Sequence, residues 1–67
     1  MKEVTIISKD GGIGIGRIDN QGRLVYYSGC WIPTKNPEVL DRMLRKNVAK
    51  IIEDNGRKYR ELIKTIV

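Results

Sequence analysis

Residues 13–18 read Ile13-Gly14-Ile15-Gly16-Arg17-Ile18, and this segment decides the fold. Large side chains alternate with glycines, as expected for a strand with one face that is almost bare near Gly14 and Gly16. Such a flat strand allows another backbone or a helix to pack closely against it. We therefore expect a strand here, preceded by a tight turn at the glycine pair Gly11-Gly12.

Two further strands flank this segment. Residues 2–9 are rich in β-branched side chains and end at Asp10-Gly11-Gly12, which indicates a strand followed by a turn. Residues 19–22 have Asp at the first position and Gly at the fourth, which suits a type I turn with a glycine bulge. Residues 23–29 then form a third strand. The connections are too short for crossovers, so the sequence predicts a three-stranded antiparallel β-meander.

Helical patterns occupy the second half of the chain. Asn36-Pro37-Glu38 is typical of a helix start, with Asn as N-cap, Pro at the first helical position and an acid in the first turn. Apolar residues then recur at helical spacing, at Leu40, Leu44, Val48 and Ile51. We predict a helix over about 37–55, which ends at the C-cap pair Asn55-Gly56, and a second helix over about 57–66.

A single helix that continues through Gly56 is the alternative. Two helices, or one helix bent at Gly56, are favoured because the apolar stripes before and after this glycine are rotated by roughly 70° at ~100° per residue. The expected fold is therefore α+β, a single small domain over residues 1–67. It consists of the meander followed by one long helix or two helices packed on the sheet.

The size of the chain implies an oligomer. Sixty-seven residues make a marginal core, and small scaffolds usually need a disulfide, a metal or a partner chain. One cysteine and no histidine exclude an internal disulfide and a zinc site. We therefore expect a homodimer or higher oligomer. The single cysteine, the lack of an apolar leader and the lack of a membrane-length apolar run predict a cytoplasmic protein without membrane contact.

The residue types argue against an enzyme. Without histidine the usual general base is missing, and Cys30 has no imidazole to activate it. Asp10, Asp19, Glu38 and Asp41 could in principle bind magnesium, but their positions suit turns and a helix start better. The glycine run opens no helix and lacks the Gly-Lys-Ser/Thr of a Walker loop. The sequence predicts no catalytic residue, no metal and no cofactor.

The positive charge points to nucleic acid. The net charge is +5, and residues 35–67 carry nine basic and five acidic side chains. On a helix, Arg42, Lys46 and Lys50 recur at four-residue spacing and could follow a phosphate backbone. Arg17 and Arg23, beside the hairpin turn, would add to the same field. The alternative is a solvated helix face, partly paired with nearby acids.

Tyr26, Tyr27 and Trp31 form the main aromatic cluster. On a strand, Tyr27 and Trp31 would share one face and Tyr26 would point to the other. They are candidates for a partner interface or a stacking surface. The alternative for two of the three is filling of the core.

One part of the sequence resembles known domains. It consists of residues 9–15, the later pair Gly29-Cys30 and the helix that follows. The segment Lys9-Asp10-Gly11-Gly12-Ile13-Gly14-Ile15 resembles the start of an RNase H-like domain, and more narrowly the HicB-type antitoxin domain, a truncated relative. The resemblance implies a regulator that binds a small partner protein and DNA. Asp10 and Glu38 are the nearest matches to catalytic RNase H carboxylates, and the other metal-binding carboxylates have no counterpart here.

The sequence also departs from the antitoxin pattern. Ile13 stands where an aromatic is usual, a longer hairpin replaces the Pro-Asp-x-Pro-Gly-Cys stretch, and no fourth strand is evident after the helix. The leading expectation is a small regulatory protein that binds nucleic acid through a basic helical face. The alternative is a protein-interaction module, such as a phage- or mobile-element-encoded inhibitor or accessory factor. A structural, oligomer-forming subunit is a third interpretation.

Overall fold

A four-stranded antiparallel sheet in the order β3-β2-β1-β4 carries two helices. The computed structural model describes the backbone of residues 1–66 and the side chains of residues 1–64. The elements are β1 (Lys2–Ser8), β2 (Ile13–Ile18), β3 (Leu24–Tyr27), α1 (Pro37–Arg45), β4 (Val48–Ile52) and α2 (Arg57–Ile66). The α+β class, the antiparallel β1-β2-β3 meander and the two helices are confirmed, and the sheet gains a strand that the sequence did not predict.

The bare face of β2 lies in the core. Gly14 pairs with Ile6 across the sheet, and Gly16 pairs with Val4 on one side and Tyr27 on the other. A methyl group on Gly14 would lie 2.8 Å from the Tyr27 ring, and one on Gly16 would overlap the Ile6 side chain. The glycines therefore leave room for Tyr27 and Ile6 to lie flat on β2, and the close approach expected from the sequence is made by side chains of the same sheet.

Helix α1 covers this face. The Asn36 side chain accepts hydrogen bonds from the backbone N–H groups of Glu38 and Val39, as the N-cap pattern predicted. Asp41 on α1 accepts the backbone N–H of Leu24 at 2.8 Å, which fastens the helix to the start of β3. The buried apolar core consists of Val4, Ile6, Ile18, Leu24, Tyr27 and Leu44.

The prediction of a helix over 37–55 is wrong beyond residue 46, because residues 48–52 form β4. Ser8 pairs with Val48 and Ile7 with Lys50, so Ala49 is an extra residue in β4, a β-bulge. The bulge places Val48 and Ile51 on the core face although they are three residues apart. Three-residue spacing on a bulged strand therefore imitates the spacing of a helix.

The Asn55-Gly56 pair forms the turn between β4 and α2. Both residues have left-handed backbones, with φ of 59° at Asn55 and 76° at Gly56. The pair therefore connects a strand to a helix, whereas the sequence predicted that it would end a helix. An uninterrupted helix to the end of the chain is excluded, and α2 begins at Arg57 as predicted.

Helix α2 lies on the opposite face of the sheet from α1, because Thr5 points away from its core neighbours Val4 and Ile6. The fully buried Thr5 hydroxyl donates to Asp54 Oδ1 at 2.8 Å and accepts the Tyr59 N–H at 3.4 Å. The apolar stripe that the sequence predicts after Gly56 consists of Tyr59, Leu62, Ile63 and Ile66. Leu62 and Ile63 on α2 are each 39% exposed, and the side chain of Ile66 lies outside the described residues. Among the described residues, neither helix has the length and apolarity needed to cross a membrane.

Gly16→Ala should destabilise the protein by about 1–3 kcal/mol, the usual cost of overpacking. The added methyl group meets Ile6 and lies 2.8 Å from the carbonyl oxygen of Tyr26, so β2 and β3 cannot keep their spacing. Urea unfolding followed by circular dichroism measures the loss. Gly29→Ala is the matched control, because its methyl group would meet only the Tyr27 ring at 3.5 Å. Equal stability of the two variants would contradict the role of Gly16.

Asp54→Asn should destabilise the protein at neutral pH, and the difference from the wild type should shrink as the pH falls below 3.8. Burial raises the pKa of Asp54, but hydrogen bonds from the Lys58 N–H, the Thr5 hydroxyl and the Gly56 N–H outweigh it and lower this pKa from 3.8. Because the pKa of Asp54 is lower in the folded protein than in the unfolded chain, its carboxylate stabilises the fold at pH values above the unfolded-state pKa. This stabilisation is lost as the pH falls through the folded-state pKa.

Urea unfolding across the acid range tests the Asp54 contribution. Glu53→Gln is the control, because Glu53 makes only a 3.7 Å ion pair between largely exposed side chains with Lys2. A difference between Asp54→Asn and the wild type that stayed constant with pH would show that the carboxylate charge is not what anchors α2.

Candidate nucleic-acid interface

The predicted basic stripe is divided between two elements. Arg42 lies in α1 and Lys46 caps the C-terminal end of that helix, so these two remain on one side, four residues apart. Lys50 lies in β4 instead. The prediction that all three share one helix face is therefore wrong, because the helix ends at Arg45.

A cluster of cations nevertheless forms around the outer edge of β4. The Lys9 N–H donates to the carbonyl oxygen of Asn47 at 3.0 Å, which brings Lys9 next to Lys46. Lys50 pairs with Ile7 in the sheet, two residues from Lys9. Lys46 ends α1 on one side of the sheet, whereas Lys50 shares with Ile7 the face on which α2 lies. We call Lys9, Lys46 and Lys50, together with Arg42 one helical turn before Lys46 on α1, the β4-edge surface, and all four are exposed.

Arg17 and Arg23 do not join this surface. The Arg23 Nε lies 2.8 Å from Asp19 Oδ2, and its Nη1 lies 3.8 Å from Glu38 Oε1, so the side chain braces the β2–β3 turn. The Arg17 guanidinium lies 5.5 Å from the centre of the Tyr26 ring and 4.0 Å from Glu3. Both arginines belong to β2 and the adjoining β2–β3 hairpin turn, and β4 is at the other edge of the sheet. They are partly neutralised and distant from the predicted lysines.

Every acidic side chain has an interaction partner. Seven of the eight have ion pairs or hydrogen bonds to described residues, namely Glu3, Asp10, Asp19, Glu38, Asp41, Glu53 and Asp54. The eighth, Glu61, also has an interaction partner. By contrast, the four cations of the β4-edge surface have no described carboxylate within 4.0 Å. Lys35, Arg57, Lys58 and Lys64 likewise form no ion pair with a described carboxylate, so the β4-edge surface holds four of the eight such cations.

Hydrogen bonding keeps these acids ionised. The Ser8 hydroxyl and then the Gly12 N–H lower the pKa of Asp10 from 3.8. The Arg23 side chain and backbone N–H do the same for the pKa of Asp19. Burial opposes ionisation of Asp41, but hydrogen bonds from the Arg45 guanidinium and a backbone N–H outweigh it and lower its pKa. Asp10 and Asp19 serve turns, as the sequence indicated, whereas Asp41 attaches α1 to β3 and does not lie in the first helical turn as predicted.

The three predicted interface aromatics have different environments. Tyr27 is 8% exposed and fills the core over Gly14, so its prediction as an interface residue is wrong. Tyr26 is 46% exposed on the opposite face, and Trp31 is 82% exposed. Because β3 ends at Tyr27, Trp31 does not share a strand face with it, contrary to the sequence prediction.

A cleft of roughly 600 Å³ opens beside the β4-edge surface. Lys9 and Asn47 contribute to its lining, together with Ser8, Ser28 and the half-buried Tyr59. The sequence did not indicate Lys9, Asn47 or Tyr59 as site residues, because they are brought together only by the pairing of β4 with β1. No group of acids, cysteine or histidine that could hold a metal occurs among the residues that the structure describes.

The glycine run is structural. Gly14 and Gly16 are buried within β2, with Tyr27 and Ile6 packed over them. The interpretation of residues 11–16 as a turn followed by a closely packed strand is thus the one that agrees with the geometry.

Comparison with known proteins finds no match to a protein-family model, to a curated protein or to a solved structure. The strand β4 follows α1. This strand is not evident in the sequence, although the HicB-type antitoxin pattern has one after its helix. That resemblance remains an expectation from the sequence.

Proposed function

We propose that this protein is a small, non-catalytic regulatory protein that binds nucleic acid at the β4-edge surface. The observation that carries the proposal is the separation of charge described above. All eight acidic side chains have an interaction partner, whereas Lys9, Arg42, Lys46 and Lys50 are exposed and form no ion pair with a described carboxylate, and the three lysines lie around a single strand edge. Cations of this kind attract the regularly spaced phosphates of a nucleic-acid backbone and release its counterions on binding.

The form of the surface suits contacts to a backbone. Its lysines lie around the edge of β4, on both faces of the sheet. This arrangement provides several point charges for phosphates, but it does not place a recognition helix in a groove of the nucleic acid. The adjacent cleft, with Tyr59 and two serine hydroxyls in its lining, offers space for a sugar or a base. Lysine contacts of this type hold nucleic acid with little dependence on its sequence.

A regulatory, binding role is also consistent with the residue types. The chain has no histidine, and the lone Cys30 is half-buried without an activating base. We place this role in the cytoplasm, because a free thiol in a chain of this size is typical of a reducing compartment.

A protein-interaction module remains the second candidate, and the exposure of Trp31 favours it. Exposed aromatic residues of this kind commonly anchor protein interfaces. A phage- or mobile-element-encoded factor acting on a host protein would use Trp31 and Tyr26, whereas the nucleic-acid role uses the opposite edge of the sheet. The two functions therefore depend on different residues.

Reversing the charges of Lys46 and Lys50 to Glu should weaken binding and flatten its salt dependence. Each lost phosphate contact lowers the slope of log K against log salt by about 0.9 for a duplex, so the double variant should lose a slope of about two. The measurement is fluorescence anisotropy with labelled duplex DNA, single-stranded DNA and RNA at several salt concentrations.

The matched control reverses Lys35 and Lys64, which are exposed and lie outside the β4-edge surface. Both double variants change the net charge equally, so a purely global effect of charge would weaken binding equally in the two. Loss of binding only in the Lys46/Lys50 variant supports the proposal. Equal effects, or a wild type that binds none of the three nucleic acids at about 150 mM salt, would exclude it.

A further inference from the structure

Trp31 projects from the surface at the outer edge of β3. The Cys30 N–H bonds to the carbonyl oxygen of Tyr27 at 3.1 Å, and the two residues form an antiparallel bridge. The chain therefore reverses direction tightly after β3, and this reversal brings Trp31 back beside that strand. Its side chain is 82% exposed, although an indole of this size normally gains from burial.

An apolar groove of roughly 180 Å³ lies directly beside Trp31. It is formed by β3, by the connector and by α1, with the buried Tyr27 and Leu44 at its base. Ile32 and Leu40 contribute half-buried side chains. Thus a projecting aromatic and an apolar recess lie next to each other on one surface.

The groove is also electrostatically distinct from the rest of the molecule. None of its lining residues is charged, although the chain carries a net charge of +5. Arg17 lies over Tyr26, 5.5 Å from the centre of its ring, and is partly neutralised by Glu3 at 4.0 Å. Two copies of a basic protein repel each other least when they associate through such a neutral, apolar surface on each copy. An acidic partner would instead be drawn to the β4-edge surface.

We propose that the groove is occupied by Trp31 of a second copy, in a twofold-symmetric homodimer. Twofold symmetry suits a surface on which Trp31 projects beside the groove. Under this symmetry, the Trp31 of each copy enters the groove of the other copy. The dimer adds buried apolar surface to a core of only six buried apolar residues among those described, which is the support that small domains commonly need.

The proposed dimer is compatible with nucleic-acid binding but does not depend on it. β3 and β4 are the two edges of the sheet, three strand spacings or about 14 Å apart. Pairing through the β3 side therefore leaves the β4-edge surface of each copy uncovered. Failure of one proposal would leave the other standing, because they rest on different edges.

Sedimentation velocity and tryptophan fluorescence over a concentration series test the dimer. Trp31 is the only tryptophan, so its emission reports directly on this site. The wild type should sediment as a dimer as concentration rises, and its emission should shift to the blue over the same range. Trp31→Ala should raise the dimer dissociation constant by about thirtyfold or more, as expected for an aromatic hot spot.

Trp31→Lys is a second variant, because it keeps a long aliphatic stem but brings a charge to the neutral groove, and it should also be monomeric. Leu62→Ala is the control, because this residue is 39% exposed on α2, which contacts β1 and β2 and is absent from the groove lining. It should remain dimeric. A wild type that stays monomeric with unshifted emission, or a dimer that survives in both Trp31 variants, would overturn the proposal. Dissociation by Leu62→Ala alone would do so as well.

Discussion

The absence of side chains at Gly14 and Gly16 is the constraint on which the rest of the structure depends. Because these positions are empty, Tyr27 and Ile6 can lie flat against β2 and close the centre of the core. Any larger residue would lift them, and α1 could then not bring Leu44 into the same core. The alternation that opens the core on one face places isoleucines on the other, where Gly56 at the start of α2 approaches Ile15.

The contacts that hold the two helices and the turns also determine which charged side chains are left without an ion pair. Each helix is fastened by a carboxylate: Asp41 holds α1 to the start of β3, and Asp54 holds α2 to the buried Thr5. Asp10 and Asp19 are occupied in the turns of the meander. Folding thus engages negative charges near the sheet ends and helix starts. The lysines around β4 form no ion pair with a described carboxylate, which is the basis of the proposed contact with a polyanion.

The residue pattern was sufficient to predict the meander, because alternation and turn residues are local signals. It failed at β4, since the bulge at Ala49 gives a strand the apolar spacing of a helix. The β-branched residues Val48, Ile51 and Ile52 were the signal that favoured a strand. Lys9 could not be identified as a site residue, because its position beside Lys46 is created by the pairing of β1 with β4. Trp31 is exposed and stays a candidate interface residue, although the position on a strand that the sequence predicted for it is wrong.

The molecule has a neutral edge at β3, which we propose for self-association, and a basic edge at β4, which we propose for nucleic acid. Amide-resolved NMR during titration with the nucleic acid that binds best tests this division most directly. The account predicts that the amides of Lys9, Asn47 and Lys50 shift with increasing ligand, while the Trp31 indole signal stays in place. Shifts centred on Trp31 and β3, with the amides around β4 unmoved, would contradict it.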